Sequence, residues 1–426
     1  MFAARLAPAL ARRGVHYGWV MVALTFLTML STAATMGSPG VFIEPLRQEF
    51  GWETASISAP LGLRFALYGL VAPFAGALIL RYGVRGVVTV SSILIMAGLA
   101  ASAMMTHLWQ LWMTWGVLLG LAAGMTAMVL GATVASRWFN ARRGLVMGML
   151  TAANATGQLI MLPIAASLSA SYGWRVALLP AVSLLAVSLL LILLFGADHP
   201  GSLNLAAYGD TAVTPPPPRG AKGAVQTSFD ALFEGARSPL FWVLAVTFCI
   251  CGLSTGGLVQ THFIPMCHDF GIPTVQAAYV LAIIGGFDFV GTIASGWLSD
   301  RYDNRWLLFW YYGLRGLSLM VLPYTDFSFV ALMVFGVFYG LDWVATVPPT
   351  VRLTGNGFGR EKAPLLFGWI FASHQIGSAI AAWGAGVSRD ALATYLPAFF
   401  AAGVACLVAS ALIVAVRRPA AGRVSA

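Results

Sequence analysis

The sequence predicts an all-α membrane protein of twelve transmembrane helices, built as two six-helix bundles related by a parallel internal repeat. Three observations predict it: an apolar composition, apolar spans at regular spacing, and an offset of 220 at which the two halves align. Of 426 residues, 59% are hydrophobic and 9% charged, against roughly 45–50% and about 25% in an ordinary soluble domain. Lys and Arg number 24 and Asp and Glu 15, too few to cover a soluble object of this length, so most of the outer surface faces lipid. The mean hydropathy of +0.82 is spread along the chain without alternating strands, which excludes an outer-membrane barrel.

Apolar stretches long enough to cross a hydrocarbon core about 30 Å thick fall near 17–37, 57–79, 86–106, 109–133, 144–168 and 174–196. Six more follow near 239–263, 275–298, 306–324, 328–351, 364–386 and 391–416. The domains are therefore a cytoplasmic tail 1–16, a bundle 17–196, a linker 197–238, a second bundle 239–416 and a tail 417–426. The basic start MFAARLAPALARRG precedes an apolar run of full span length, so it reads as the lead-in to an uncleaved first helix. The linker, with Gly201, Ser202, Asp210 and the Pro215–Pro218 run, is the one long polar segment and reads as flexible, with a short surface helix near 228–236.

The net charge of +9 raises nucleic acid as a partner, but the basic residues stand singly in short loops. With the N-terminus cytoplasmic, the outside receives only Arg47, Arg175 and Arg389, while Arg64 and Arg315 fall inside spans. Every other Lys and Arg lies on the cytoplasmic side, as the positive-inside rule requires, which puts both termini inside. Cys249, Cys251, Cys267 and Cys406 form neither a disulfide framework nor a zinc spacing, so no metal and no cofactor is expected.

The repeat is read from loops as well as spans. IEPLRQEFG at 43–51 meets FIPMCHDFG at 263–271, and GALILRYGVR at 76–85 meets GWLSDRYDNR at 296–305. Gly120 meets Gly340, Arg142 meets Lys362, Gly148 meets Gly368 and Gly157 meets Gly377. Shared Pro, Gly and Arg argue against mere compositional likeness. Parallel repeats about an axis along the membrane normal characterise secondary transporters that rock their halves around a central site.

On these residues the chain resembles the major facilitator superfamily over nearly its whole length. The family's loop motif G-x-L-x-D-R-x-G-R-R is matched in the second half by Gly296, Leu298, Asp300, Arg301 and Arg305, and in the first by Gly76, Leu78, Arg81, Gly83 and Arg85. Leu80 stands where the family has the Asp that closes one face as a charge-assisted contact. HYGWVMVA, VFIEPLRQEFGWETASIS and SRWFNARRGLVMGM are similar to the monocarboxylate porter and oxalate/formate antiporter group, which implies organic anions as substrates. By the same resemblance Asp288, in GGFDFVGTIASGW, matches the eighth-helix Asp that takes part in proton and substrate coupling. The chain departs from that group in having Thr292 one turn after it, where the family has an Arg, and Gly37 where it has a first-helix Lys.

An ionisable side chain at the bilayer centre costs about 2.5–3.5 kcal/mol even on the lenient insertion scale, so each is a functional hypothesis. Arg64, Asp288, Arg315 and Asp342 are such residues, with His374 and His262 as titratable company. Counted from the nearest cytoplasmic charge, Asp288, Arg315, Asp342 and His374 all lie about 15–18 Å deep, in one layer of the second bundle. Two acids, one Arg and one His are the composition of a proton relay. Alternatively Arg315 pairs with Asp288 or Asp342 and only holds helices together.

An anion carrier needs a cation in its site. Arg64 is the candidate of the first bundle, unless it snorkels to the outer interface. His374 is pseudo-symmetric with Asn154, and Asn154, Gln158, His374 and Gln375 fall on opposite cavity walls if the family arrangement holds. Tyr339 and Trp343 flank Asp342 as cavity or packing aromatics, His262 sits near the outer end as a gate or an interfacial residue, and Pro348 is a hinge or a helix stop.

The reading is a secondary transporter that carries a small organic anion, a monocarboxylate, with a proton across the cytoplasmic (inner) membrane by rocker-switch alternating access, working as a monomer. The alternatives are anion exchange of the oxalate/formate type and export of another small molecule. A membrane enzyme is not expected, since H-E-x-x-H, Gly-x-Ser-x-Gly and P-loop patterns are all absent.

Overall fold

A computed structural model describes residues 2–126, 128–216, 223–359 and 362–415, except the side chains of 128, 143, 152, 154–156, 158–160 and 224. The described residues are helical throughout apart from turns and one isolated bridge, Phe139 to Tyr208. Nine of these helices are long and apolar enough to cross a membrane. One of them, Thr54–Ala103, runs 50 residues, about 75 Å of rise and hence two crossings. It divides at Gly83, whose φ of 78° and ψ of 162° no side-chain-bearing residue adopts readily.

The series is then α1 (Gly18–Phe50), α2 and α3 (before and after Gly83), α4 (Leu108–Trp138), α5 (Arg143–Tyr172) and α6 (Trp174–Phe195). It continues with α7 (Pro239–Asp269), α8 (Thr274–Ser299), α9 (Asn304–Val321), α10 (Phe329–Phe358), α11 (Ala363–Leu392) and α12 (Leu396–Ala415). Helix ends follow local chemistry. Gly51, Gly173 and Gly271 take positive φ at turns, and Asp303 and Ser328 accept backbone N–H groups at the starts of α9 and α10.

Packing repeats six helices on. α1 lies on α5 as α7 lies on α11, α3 on α6 as α9 on α12, and α8 on α10 as α2 and α3 on α4. The glycines matched by the repeat do equivalent work. A Cβ on Gly120 would stand 2.8 Å from the Arg64 carbonyl, and one on Gly340 2.6 Å from that of Ile284, which is position 64 in the other half. Gly157 and Gly377 likewise press on Leu30 and Cys249. Only glycine lets the backbones approach so closely.

The halves meet through α2 on α11 and α5 on α8. On the face away from the linker the buried apolar residues form one continuous core drawn from both halves, from Val41 and Leu46 to Phe263 and Met266. On the linker face the core is split, Tyr17 to Ala197 in one half and Ala231 to Ile413 in the other. A gap therefore enters from the linker side.

The linker is more tied down than its composition implies. Tyr208 exchanges backbone hydrogen bonds with Trp138, Asn140 and Ala141, and Asn140 donates to Asp210 at 2.6 Å. The Asp198 carboxylate sits where a Cβ on Gly83 would be, and accepts from the Arg85 N–H at 2.9 Å. His199 is buried beside it, its Nδ1 accepting from the Gly201 N–H at 3.1 Å; burial and then nearby Arg137 hold its pKa below the usual histidine value. Further on, the linker helix Ala224–Gly235 sets Phe229 between Phe74 of α2 and Trp369 of α11, while Glu234 pairs with Lys362 at 2.7 Å.

Candidate functional site

Between the halves lies a cavity of about 900 Å³, lined by α1, α2, α4, α5, α7, α8, α10 and α11. It opens toward the linker face. Gly148 and Gly296 line it and have no atom within 4 Å of a would-be Cβ. At the other end a Cβ on Gly40 would stand 2.8 Å from the Thr261 carbonyl, and one on Gly62 2.9 Å from that of Ala379. That end is also bridged by Asp390 of α11, whose carboxylate accepts the N–H groups of Thr54 and Ala55 at 3.2 and 2.6 Å. Asp390 escaped sequence reasoning, since nothing in the local pattern pairs the end of α11 with the start of α2.

Two helices break beside the cavity, each at proline. In α1 the break falls at Ser38, between Gly18–Gly37 and Pro39–Phe50. Pro39 has no N–H for the Thr35 carbonyl. The Thr35 and Met36 carbonyls instead accept from Arg64 of α2, at 3.5 and 3.3 Å. Arg64 is 1% exposed, its Nε has no partner, and these carbonyls are its only hydrogen-bond partners among the described residues. It stands behind the cavity wall rather than on it, with Met36, Phe65 and Gln260 between, and Gln260 donates to the same Met36 carbonyl at 3.1 Å.

In α10 the break spans 343–346, between Phe329–Asp342 and Val347–Phe358. Pro348 and Pro349 cannot bond the Val344 and Ala345 carbonyls, and Ala345 accepts from Ser295 of α8 at 2.6 Å instead. Asp288 of α8 accepts from the Val344 N–H and the Thr292 hydroxyl, both at 2.9 Å, and lines the cavity. Arg315 of α9 donates Nε to Asp342 at 2.7 Å, Nη2 to the Asp342 and Trp343 carbonyls, and Nη1 to the Cys251 sulfur at 2.9 Å. The remaining Asp342 oxygen is buried without a partner.

Asp288, Arg315 and Asp342 thus gather around one helix break. Of the two partners considered for Arg315, the geometry selects Asp342. His374 stands on the α11 wall of the cavity, packed against Phe248 and Phe371 at 4.8 and 5.9 Å between ring centroids, with Nδ1 unpartnered. Gln375 and Trp343 also line the cavity. Tyr339 turns away from it, its hydroxyl donating to the Ser254 carbonyl at 2.7 Å. His262 is buried at the closed end, with Nε2 donating to the Ala382 carbonyl at 2.6 Å. The Asn154 and Gln158 side chains lie outside the described residues. No cluster of three metal-ligating side chains occurs among the described residues.

The loop motif residues make contacts within their own halves. Asp300 pairs with Arg352, Arg301 lies over the Trp297 ring at 4.0 Å, Arg81 lies over the Tyr82 ring at 5.3 Å, and Arg85 donates to the Leu193 carbonyl at 2.6 Å. A Cβ on Gly76 would meet Val129 at 3.6 Å.

A family model described as Major Facilitator Superfamily matches residues 24–382. Among similar proteins are an uncharacterised MFS-type transporter, YcxA of Bacillus subtilis, 24% identical over 89% of this chain and 90% of its own, and monocarboxylate transporter 13 of Rattus norvegicus, 28% identical over 93% and 88%. In fold the chain resembles a peptide transporter solved with sulfate, at TM-score 0.73 and 15% identity over 92% and 93% of the two chains. It also resembles a bacterial homologue of the lysosomal transporter Spinster, at 0.68 and 14% over 93% and 95%. The chain belongs to the Major Facilitator Superfamily and is a multi-pass membrane transporter, not an enzyme.

Proposed function

We propose that this transporter carries a small organic anion of the monocarboxylate class together with a proton across the cytoplasmic membrane. The loop charges support an orientation with the termini and linker cytoplasmic, in which the cavity faces inward. The observation that carries the reading is Arg64, a guanidinium buried beside the cavity with no carboxylate among its partners in the described residues. A buried charge is stabilised by a counter-charge, and an anionic substrate drawn to the α1 break supplies one. Names of relatives such as monocarboxylate transporter 13 support the same substrate class.

The proton site in this reading is Asp288, which faces the cavity, with His374 as the neighbouring titratable group across it. The Arg315–Asp342 pair is already balanced and holds α9 against the α10 break. The close glycine contacts at the far end form the seam that opens when the halves rock.

Uptake of labelled lactate into proteoliposomes, with protein-free vesicles as background, tests the reading. An inward proton gradient should raise uptake, Asp288→Asn should abolish that dependence, and Arg64→Gln should raise KM at least tenfold. Transport indifferent to the gradient but dependent on an internal anion would instead establish exchange.

A further inference from the structure

We infer that the anion taken by this cavity carries an aromatic ring, held one helical turn from the carboxylate. The inference rests on the organic-anion reading and adds which anion. It begins from the surface of the cavity, whose lining carries six aromatic side chains from five helices besides Phe26 and Phe65.

The walls are aromatic on both sides. On the α2, α7 and α11 side, Phe248 and Phe371 pack on His374, and Tyr68 packs on Phe371. The Phe371 ring lies parallel to the His374 ring within 7°, and Tyr68 meets Phe371 edge-on at 5.8 Å. On the α8 and α10 side stand Phe289, Trp297 and Trp343. Phe289 and Trp297 keep 49% and 53% of their surface exposed, although both line the cavity. An apolar ring between these walls would cover surface that a short acid leaves wet, in the offset or edge-on geometries that aromatic pairs favour.

The spacing follows from α2. Arg64 and Tyr68 are four residues apart on one helix face, about 5–6 Å, and Phe65 lines the cavity beside them. A carboxylate drawn to Arg64 by way of Gln260 places a ring one or two carbons further on against Tyr68 and Phe371. Ring and carboxylate then each touch both halves of the chain, since Gln260 belongs to α7 and Phe371 to α11.

The test is proteoliposome uptake of labelled lactate and labelled phenylpyruvate, each challenged with unlabelled acetate, lactate, phenylpyruvate or phenethylamine. Phenylpyruvate should inhibit at a concentration at least tenfold below that of lactate or acetate. Phe371→Leu and Tyr68→Leu should bring this ratio below threefold, while Tyr68→Phe should keep it; the ratio is taken within each variant, so altered folding cancels. Lactate and acetate inhibiting as well as phenylpyruvate would overturn the aromatic inference and leave the anion reading standing. A ratio unmoved by both leucine substitutions would overturn it too. Inhibition by phenethylamine but by none of the acids would overturn both.

Discussion

Removing Arg315 alone should destabilise the protein more than removing Arg315 and Asp342 together. Arg315 is 1% exposed and spends its donors on Asp342, two carbonyls of the α10 break and the Cys251 sulfur. Arg315→Met leaves Asp342 with one oxygen that already lacks a partner and a second newly stripped of one. Breaking a buried pair by removing one member costs about 3–5 kcal/mol, whereas apolar replacement of both is often neutral. For a unit of 150–250 residues, about the size of one half, each kcal/mol moves Tm by roughly 2–4 °C. The single variant should therefore melt about 6–20 °C lower. Arg315→Met with Asp342→Leu should recover most of that loss, read by intrinsic fluorescence of the 14 tryptophans in purified protein. A single variant within a degree or two of the parent, or a double variant as unstable as the single, would refute the assignment of this pair as a structural clamp. The same double variant addresses coupling: if it folds and still responds to a proton gradient, the pair lies outside the proton path.

Three further outcomes follow from local geometry. Gly40→Val forces a side chain against the Thr261 and Gln260 carbonyls, so the closed end should open and the linker face close, read as a shorter spin-label distance between Gly148→Cys and Gly296→Cys. Gly83→Ala strains a glycine-only conformation at a cost of about 1–3 kcal/mol and displaces the Asp198 carboxylate, so Tm should fall; an unchanged Tm would show the α2–α3 corner to be pliable. His199, with its pKa held down by burial and Arg137, binds fewer protons in the docked linker than in an undocked one. Docking is thus fully stabilised above the ordinary histidine value near 6.5 and weakens as pH falls below it. Hydrogen exchange across 197–210, corrected for intrinsic rates, should quicken on acidification from pH 7.5 to 5.5, and His199→Asn, which accepts without titrating, should flatten the response.

The sequence made the architecture legible because lipid leaves few ways to satisfy a backbone. Span length and the repeat both register that constraint, and the Gly120–Arg64 and Gly340–Ile284 contacts show the offset of 220 at atomic level. Fixed helical rise put Asp288, Arg315 and Asp342 at similar distances along their helices, and the structure brings the three to one break. What depth could not give was direction around each helix axis. Tyr339 and Trp343 are one turn apart, yet only Trp343 lines the cavity. Contacts across long separations were invisible for a related reason: Asp198 beside Gly83, or Asp390 on Thr54, are tertiary placements with no local period to betray them.

The two buried arginines obey one rule with two outcomes. Proline interrupts α1 at position 39 and α10 at 348 and 349, and each interruption leaves carbonyls at the C-terminal end of a half-helix, where the backbone dipole is negative. A cation is the natural partner of such an end, and a planar guanidinium reaches two carbonyls at once. Arg64 takes those of Thr35 and Met36; Arg315 takes those of Asp342 and Trp343. The difference is the carboxylate. Asp342 completes the neutralisation of Arg315 within the C-terminal half, whereas Arg64 has two carbonyls and the Phe65 ring, and no carboxylate, as partners among the described residues. An arginine balanced within its own bundle can be retained through every state of a rocking cycle. On the proposed reading, one held without a carboxylate at the seam between bundles is balanced fully only when an anionic substrate is present, which would tie occupancy of the cavity to the stability of the seam that opens and closes around it.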